Sequence, residues 1–190
     1  MQAHIDTEEY LQQLSQSRPE FGYTVIREGL YTESYPLYTA FFDPENPRGE
    51  IKIPHDGSGP GIAWVKREEL GEGTSELIRR FVQSPIAFEH CNSTVLLSGP
   101  KALTLAETVA ALSKLSKKTE EVTIRKVSDE EYAKQPQNAE RFTYQGVDYS
   151  HAWVTSFEAF RRGEGSFVSP LLEELLGRKP EEFETTIGVV

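Results

Sequence analysis

Apolar and polar positions along this chain fall into short blocks whose period switches between two residues and the helical repeat. Ile5, Leu11 and Leu14 share one helical face, and Asp6 and Thr7 ahead of the acidic pair Glu8-Glu9 predict a helix start. Pro19 ends that helix, because proline cannot continue the turn. Tyr23 to Arg27 is a β-branched apolar run that meets a charged pair and turns on Gly29, which predicts a strand. Residues 36–61 then read as a long irregular loop. It holds two turn clusters, Asp43 to Gly49 and His55 to Gly61, with Ile51-Lys52-Ile53 alternating as a short strand between them. Ile62 to Val65 reads as a brief buried strand, and a helix follows from about Arg67. Leu70, Leu77, Ile78, Phe81 and Val82 form its expected buried stripe, weakened at the start by Gly71 and Gly73.

The second half repeats the alternation. Ser93 to Ser98 is a strand closed by Gly99-Pro100, and Thr104-Leu105-Ala106-Glu107 is a capping box ahead of a helix buried through Leu105, Val109, Leu112 and Leu115. Glu121 to Val127 alternates as a strand, and Ser128 to Glu131 is a second capping box opening a short helix that Pro136 ends. Asp148 to Arg162 is expected to be helical, with Trp153, Phe157 and Phe160 packing inward. Ser169-Pro170 opens the last helix and Gly177 closes it. Strands alternating with helices predict an α/β fold, and with no linker long enough to divide it, residues 1–190 read as one domain.

The charge balance narrows the partners. A net charge of −10 argues against direct nucleic-acid binding, which needs a basic face to release counterions. It leaves room for a small anion held by a local Arg or a helix N-terminus. A single cysteine, Cys91, excludes an internal disulfide and fits a reducing compartment. No apolar run approaches the roughly 20 residues of a membrane span, and the N-terminus lacks the basic-then-apolar pattern of a signal peptide. A cytoplasmic protein is expected, with the nucleus as the alternative for a regulator.

Most chemical motifs fail on context. The cluster Gly57-Ser58-Gly59-Pro60-Gly61 precedes a strand instead of a helix, so it cannot offer a helix N-terminus to a pyrophosphate. No pair among His4, His55, His90 and His151 has metal-ligand spacing, and no metal is expected. Cys91 adjoins His90, but neighbours along a strand face opposite ways, which favours a structural thiol. There is no Gly-x-Ser-x-Gly elbow and no Tyr followed four residues later by Lys. The aromatic group Tyr31, Tyr35, Tyr38, Phe41, Phe42, Trp64 and Tyr144 has two readings: core packing, or a planar-ligand pocket beyond the end of the first strand. Arg27 and Glu28 either pair with each other or stay solvated.

Three stretches carry a resemblance. His4-x-x-Thr7-Glu8 leads to Tyr23-Thr24-x-Ile26-Arg27-x-Gly29-x-Tyr31-x-Glu33-x-Tyr35. Leu97-Ser98-Gly99-Pro100-x-Ala102-Leu103-Thr104-Leu105-Ala106-Glu107 and Leu176-Gly177-Arg178-Lys179-Pro180 follow in the same order and spacing. Together they resemble the NmrA-like family of atypical short-chain dehydrogenases, nearest to its NADPH-dependent quinone oxidoreductases. The resemblance implies the C-terminal, substrate-side part of a Rossmann-type NAD(P)-binding fold, without the N-terminal nucleotide-binding half. Arg27, Gly29, Leu30, Tyr31 and Glu33 would then approach NADP, and Tyr35, Tyr38, Phe41, Trp64 and Tyr144 would line the pocket of a small planar substrate. It implies a quinone or carbonyl reductase type, truncated and unable to bind cofactor alone. The alternative is a non-catalytic regulator or protein-interaction module, and a shortened gene product is a third reading. A central-type strand without its sheet neighbour predicts self-association or a completing partner chain.

Overall fold

The computed structural model describes residues 2–116 and 121–188. The first half runs α1 (Gln2–Ser17), β1 (Thr24–Glu28), a 3-10 turn (Thr32–Tyr38), β2 (Glu50–Ile53), α2 (Arg67–Gln83), a second 3-10 turn (Pro85–Ala87) and β3 (Ser93–Leu97). The second half runs α3 (Leu105–Leu115), β4 (Thr123–Lys126), α4 (Asp129–Ala133), α5 (Pro136–Arg141), β5 (Thr143–Tyr144), β6 (Val147–Asp148), α6 (Ser150–Arg161), α7 (Leu171–Leu176) and α8 (Phe183–Ile187).

Two parallel strand pairs interleave. β1 lies beside β3 with Thr24 opposite Ser93 and Glu28 opposite Leu97, so the carboxyl ends of both strands finish level. β2 pairs with β4, Glu50 opposite Thr123 and Ile53 opposite Lys126. One face of the β1–β3 pair packs on α2 and α7 through Val65, Leu70, Leu77, Val95, Leu97, Leu172 and Leu175. The larger core gathers around Trp64, Tyr132 and Phe157, with Ile53, Ile62, Leu105 and Leu112 fully buried beside them. α2 is tied to the C-terminal segment through Glu69, buried to 1% exposure, which accepts from Arg178 and from the Glu181 backbone N–H at 3.0 Å. A carboxylate can sit that deep because an opposite charge and a main-chain donor replace its lost water.

Several expectations change. α1 begins at Gln2, ahead of the proposed cap: the Asp6 carboxylate accepts from Gln2 and the Thr7 hydroxyl donates back to the Ala3 carbonyl at 2.7 Å. These side chains bond to the preceding turn instead of capping the helix. Residues 62–65 are buried but not a strand; they make isolated bridges at Ile62–Leu103 and Tyr31–Val65. The 36–61 loop contains the end of the first 3-10 turn and β2. Pro136 opens α5 in its first turn, where the missing N–H costs nothing. The β5–β6 hairpin was not expected; Gln145 and Gly146, both at positive φ (50° and 79°), make the turn that suits the strands' twist. α8 was also missed. Cys91 lies exposed in a turn and is not a buried structural thiol.

The α2 stripe divides in two. Leu70 and Leu77 are buried, and Gly73 lets α7 approach so closely that an added Cβ would lie 2.7 Å from Leu172 Cδ1. Ile78, Phe81 and Val82, with Ile86 beyond them, remain exposed. β1 behaves similarly. None of its five residues is buried, because among the described residues it has a strand on one side only.

His55 makes the fold sensitive to pH. It is 3% exposed, its Nδ1 accepts from the Gly57 N–H at 3.0 Å, and its Nε2 is buried without a hydrogen-bond partner among the described residues. Burial pushes its pKa below the ordinary 6.5, against the pull of Asp56 and assisted by Arg161 and Lys126. The unfolded chain therefore takes up a proton near 6.5 that the folded chain refuses, and stability falls as pH drops through 6.5 toward the lowered folded value. Urea midpoints between pH 7.5 and 5 are expected to show this decline, and His55→Gln is expected to flatten its share, about 1.4 kcal/mol per unit of depression.

Candidate functional site

In open α/β sheets ligands sit beyond the carboxyl ends of the strands. Here four segments converge on that edge: residues 29–33 after β1, 62–65, 98–100 after β3, and 163–169. Backbone hydrogen bonds lock them together. Gly29 N–H donates to the Leu97 carbonyl at 2.8 Å, Thr32 N–H to Val65 at 2.8 Å, and Val65 N–H to Leu30 at 3.0 Å. Ala63 N–H donates to Gly165 at 2.8 Å, and Ser169 N–H to the buried Ser98 hydroxyl at 2.9 Å. Gly29 sits in a tight place: an added Cβ would come within 3.3 Å of Val65, the Leu97 carbonyl and Ser98 Cα, so those neighbours would have to give way slightly.

The side chains on this edge form a shelf. The Tyr31 hydroxyl donates to Glu28 at 2.7 Å, and that bond, followed by burial, raises the phenol's pKa. It stays protonated at neutral pH, a donor that can be passed to a ligand oxygen. Glu33 accepts from the Arg67 N–H at 3.2 Å at the start of α2, where a negative charge suits the helix dipole. Leu30 packs toward Gly165, 3.6 Å from where a Cβ would stand. Phe167 and Val168 project from the fourth segment and are 70% and 48% exposed.

The sequence-based site residues do not all meet here. Gly29, Leu30, Tyr31 and Glu33 do. Arg27 is turned to the α1 side, where its guanidinium grips Glu8 in a bidentate pair at 2.9 Å; it pairs neither with Glu28 nor with solvent alone. Trp64 and Tyr38 do not line an opening. Trp64 is 1% exposed, packs on Tyr38 and Phe183, and donates from Nε1 to Thr108 at 3.0 Å, while Tyr38 also packs on Trp153 and Phe160. Tyr35 is half-buried with its ring edge on Phe183. Phe41 lies against Phe142 at 5.1 Å, with the Arg141 guanidinium over its ring. Tyr144 is exposed on the β5–β6 hairpin, which is not one of the four shelf segments. Phe167 and Val168 were missed, although an apolar pair following Gly163-Glu164-Gly165-Ser166 is a readable sign of an apolar group displayed on a turn.

Among the described residues no Gly-rich turn joins a strand to a helix N-terminus. The 57–61 turn is used internally: the Gly57 carbonyl accepts from Ala106, and Gly61 packs against the Leu103–Thr104 backbone. Two clefts lie elsewhere. One of about 420 Å³ opens between Phe42, Arg48, Lys52 and Gln135, and one of about 270 Å³ between α1 and the β1–β3 edge. Among the described residues no group of three or more His, Cys, Asp or Glu could hold a metal, and no helix is long and apolar enough to cross a membrane.

Comparison with known proteins finds likenesses in sequence and in fold. No family model matches the chain. It is 29% identical over 178 residues to the NmrA-like family domain-containing oxidoreductase flvB of Aspergillus flavus, a match covering 94% of this chain and 51% of that protein. The NADPH-dependent quinone oxidoreductase of Escherichia coli superposes with a TM-score of 0.70 at 20% identity, over 99% of this chain and 60% of that one. The triphenylmethane reductase of Citrobacter sp., solved with NADP(H), gives 0.62 at 22% identity, over 89% and 53%. A nucleoside-diphosphate-sugar epimerase from Staphylococcus aureus gives 0.64 at 19%, over 93% and 55%. The chain spans about half the length of the curated relative it matches. In sequence it is similar to an NmrA-like oxidoreductase, and its α/β fold matches 60% of the length of the quinone oxidoreductase structure and 53% of that of the triphenylmethane reductase.

Proposed function

We propose that this chain is the substrate-side part of an NAD(P)H-dependent oxidoreductase of the quinone or carbonyl reductase type, acting on a small planar substrate. The observation that carries the reading is the shelf: level strand ends, a glycine in backbone contact, and a Tyr31–Glu28 pair facing the place where α/β folds hold ligands. In this reading Gly29, Leu30, Tyr31 and Glu33 meet the nicotinamide end of NADP. Arg27 acts at one remove, holding α1 against the sheet through Glu8. The phosphate-bearing end is held by a nucleotide-binding unit other than the elements described, so the chain alone does not bind the cofactor tightly.

Two features favour a docked partner or a second copy. Among the described residues β1 has one strand neighbour, and α2 leaves Ile78, Phe81 and Val82 exposed next to Ile86. These same features favour the second reading, a non-catalytic interaction module that keeps the fold and uses the apolar face. NADPH titration followed by cofactor fluorescence separates the two when a nucleotide-binding unit is present. The oxidoreductase reading expects saturable binding that Tyr31→Phe weakens several-fold. Binding indifferent to Tyr31→Phe removes the shelf from the site, and no binding leaves the interaction module.

A further inference from the structure

We propose that Phe167 and Val168 are the apolar wall of the substrate site and select a flat, apolar ring over a polyhydroxylated or phosphorylated ligand. This rests on the oxidoreductase reading and adds to it a specificity element outside the aromatic loop.

The two side chains are exposed at 70% and 48%, yet the segment that carries them is fixed at both ends. Gly165 accepts from Ala63 at 2.8 Å on one side, and Ser169 donates to Ser98 at 2.9 Å on the other. Ser98 is buried and directly follows β3, so the pair is held beside the carboxyl end of that strand. Within the segment, Gly163 at φ 76° turns the chain, and Ser166 returns both its N–H (3.1 Å) and its hydroxyl (2.8 Å) to the Gly163 carbonyl. Gly165 brings the segment against Leu30, joining it to the Tyr31 loop. A wall ordered before the ligand arrives loses little conformational freedom on binding, which favours affinity. Burying apolar side chains against a ring then supplies the driving force.

The polar groups of the shelf point to the same ligand class. The Tyr31 hydroxyl is engaged by Glu28, and Glu33 by the Arg67 N–H. A sugar laid on Phe167 and Val168 would lose the water on its hydroxyls against side chains that offer no hydrogen bond in return. Two carboxylates, Glu28 and Glu33, also face any incoming phosphate with like charge. One carbonyl oxygen on a flat ring asks less: a single donor, which Tyr31 can turn from Glu28.

The test is equilibrium dialysis without cofactor, using 2,3-dimethyl-1,4-naphthoquinone, whose blocked ring positions prevent addition of the exposed Cys91 thiol, and UDP-glucose as the polar probe. Wild type is expected to bind the quinone and not UDP-glucose. Phe167→Ser/Val168→Ser is expected to weaken quinone binding about tenfold with an unchanged thermal midpoint, since both side chains are exposed and bury little on folding. Phe167→Leu/Val168→Ile is expected to retain it. Equal binding by wild type and the Ser variant, no quinone binding up to its solubility limit, or preference for UDP-glucose would overturn the assignment. The oxidoreductase reading is judged separately by NADPH titration, so either can fail alone.

Discussion

Gly99→Ala is expected to prevent the chain from folding. The added Cβ would fall inside the van der Waals radius of the Trp64 carbonyl oxygen and 2.6 Å from its carbonyl carbon, with the Ala63 carbonyl carbon 3.4 Å away. Overpacking against flexible side chains typically costs about 1–3 kcal/mol, because the neighbours can rotate aside. Here the neighbours are main chain. They cannot withdraw, because Ala63 is hydrogen-bonded to Gly165 and Val65 to Leu30. Since a domain has only about 5–15 kcal/mol in hand, this clash takes most of it. The expected result is insoluble protein, or a soluble form with no cooperative urea transition. Gly71→Ala is the control: it lies in α2 with nothing within 4 Å, and Ala is the better helix former by about 1 kcal/mol. That variant is expected to unfold at slightly higher urea. A Gly99→Ala protein with a near-normal midpoint would contradict the backbone crossing at 63–65 and 98–100, and with it the shelf.

Trp64→Ala is expected to lower stability by about 3–5 kcal/mol, the usual cost of emptying a buried aromatic site. The ring fills the space between Tyr38 and Phe183, at 5.8 and 5.5 Å between centroids. For a chain of this length that corresponds to a fall in Tm of roughly 2–4 °C per kcal/mol. Trp64→Phe is expected to lose less, about 1–2 kcal/mol, as the Thr108 hydroxyl keeps its bond to the Thr104 carbonyl and forfeits only the indole donor. Calorimetry of the three proteins checks both values. An unchanged Tm in Trp64→Ala would return Trp64 to the lining of an open pocket.

Trp64 also shows where the sequence stops being readable. A tryptophan in a short apolar run looks the same whether its ring meets a ligand or the core, and its partner Thr108 lies 44 residues away. Arg27 is similar: its next-door neighbour Glu28 was the obvious partner, but the helix returns Glu8 to it across 19 residues. What the sequence did convey was local. The Thr104–Glu107 capping box is present with both bonds, while at Ser128 only the hydroxyl half forms, because Glu131 is drawn to Arg125. The period of α2 was read correctly, but periodicity states only that a face is apolar. It does not say how far another element covers it: Phe81 meets the edge of the Phe88 ring at 5.6 Å, yet Ile78, Phe81 and Val82 all stay exposed. The shelf was half legible, through the strand that stops at Glu28 and the glycine after it. Its other half, Phe167 and Val168, sits in a segment without any period and is positioned only by its ties to Ala63 and Ser98.

The central claim is that this shelf is one wall of a cofactor site whose other wall is a separate nucleotide-binding unit. The direct measurement is an NADPH titration of this chain alone, of the part of the Aspergillus flavus relative that lies outside the match, and of the two mixed. The account expects the mixture to bind more tightly than either part, with the gain lost in Tyr31→Phe, and this chain alone to show no saturation below about millimolar cofactor, an affinity of only about −4 kcal/mol. Micromolar binding by this chain alone, or a mixture that binds no better than the relative's part by itself, would contradict it.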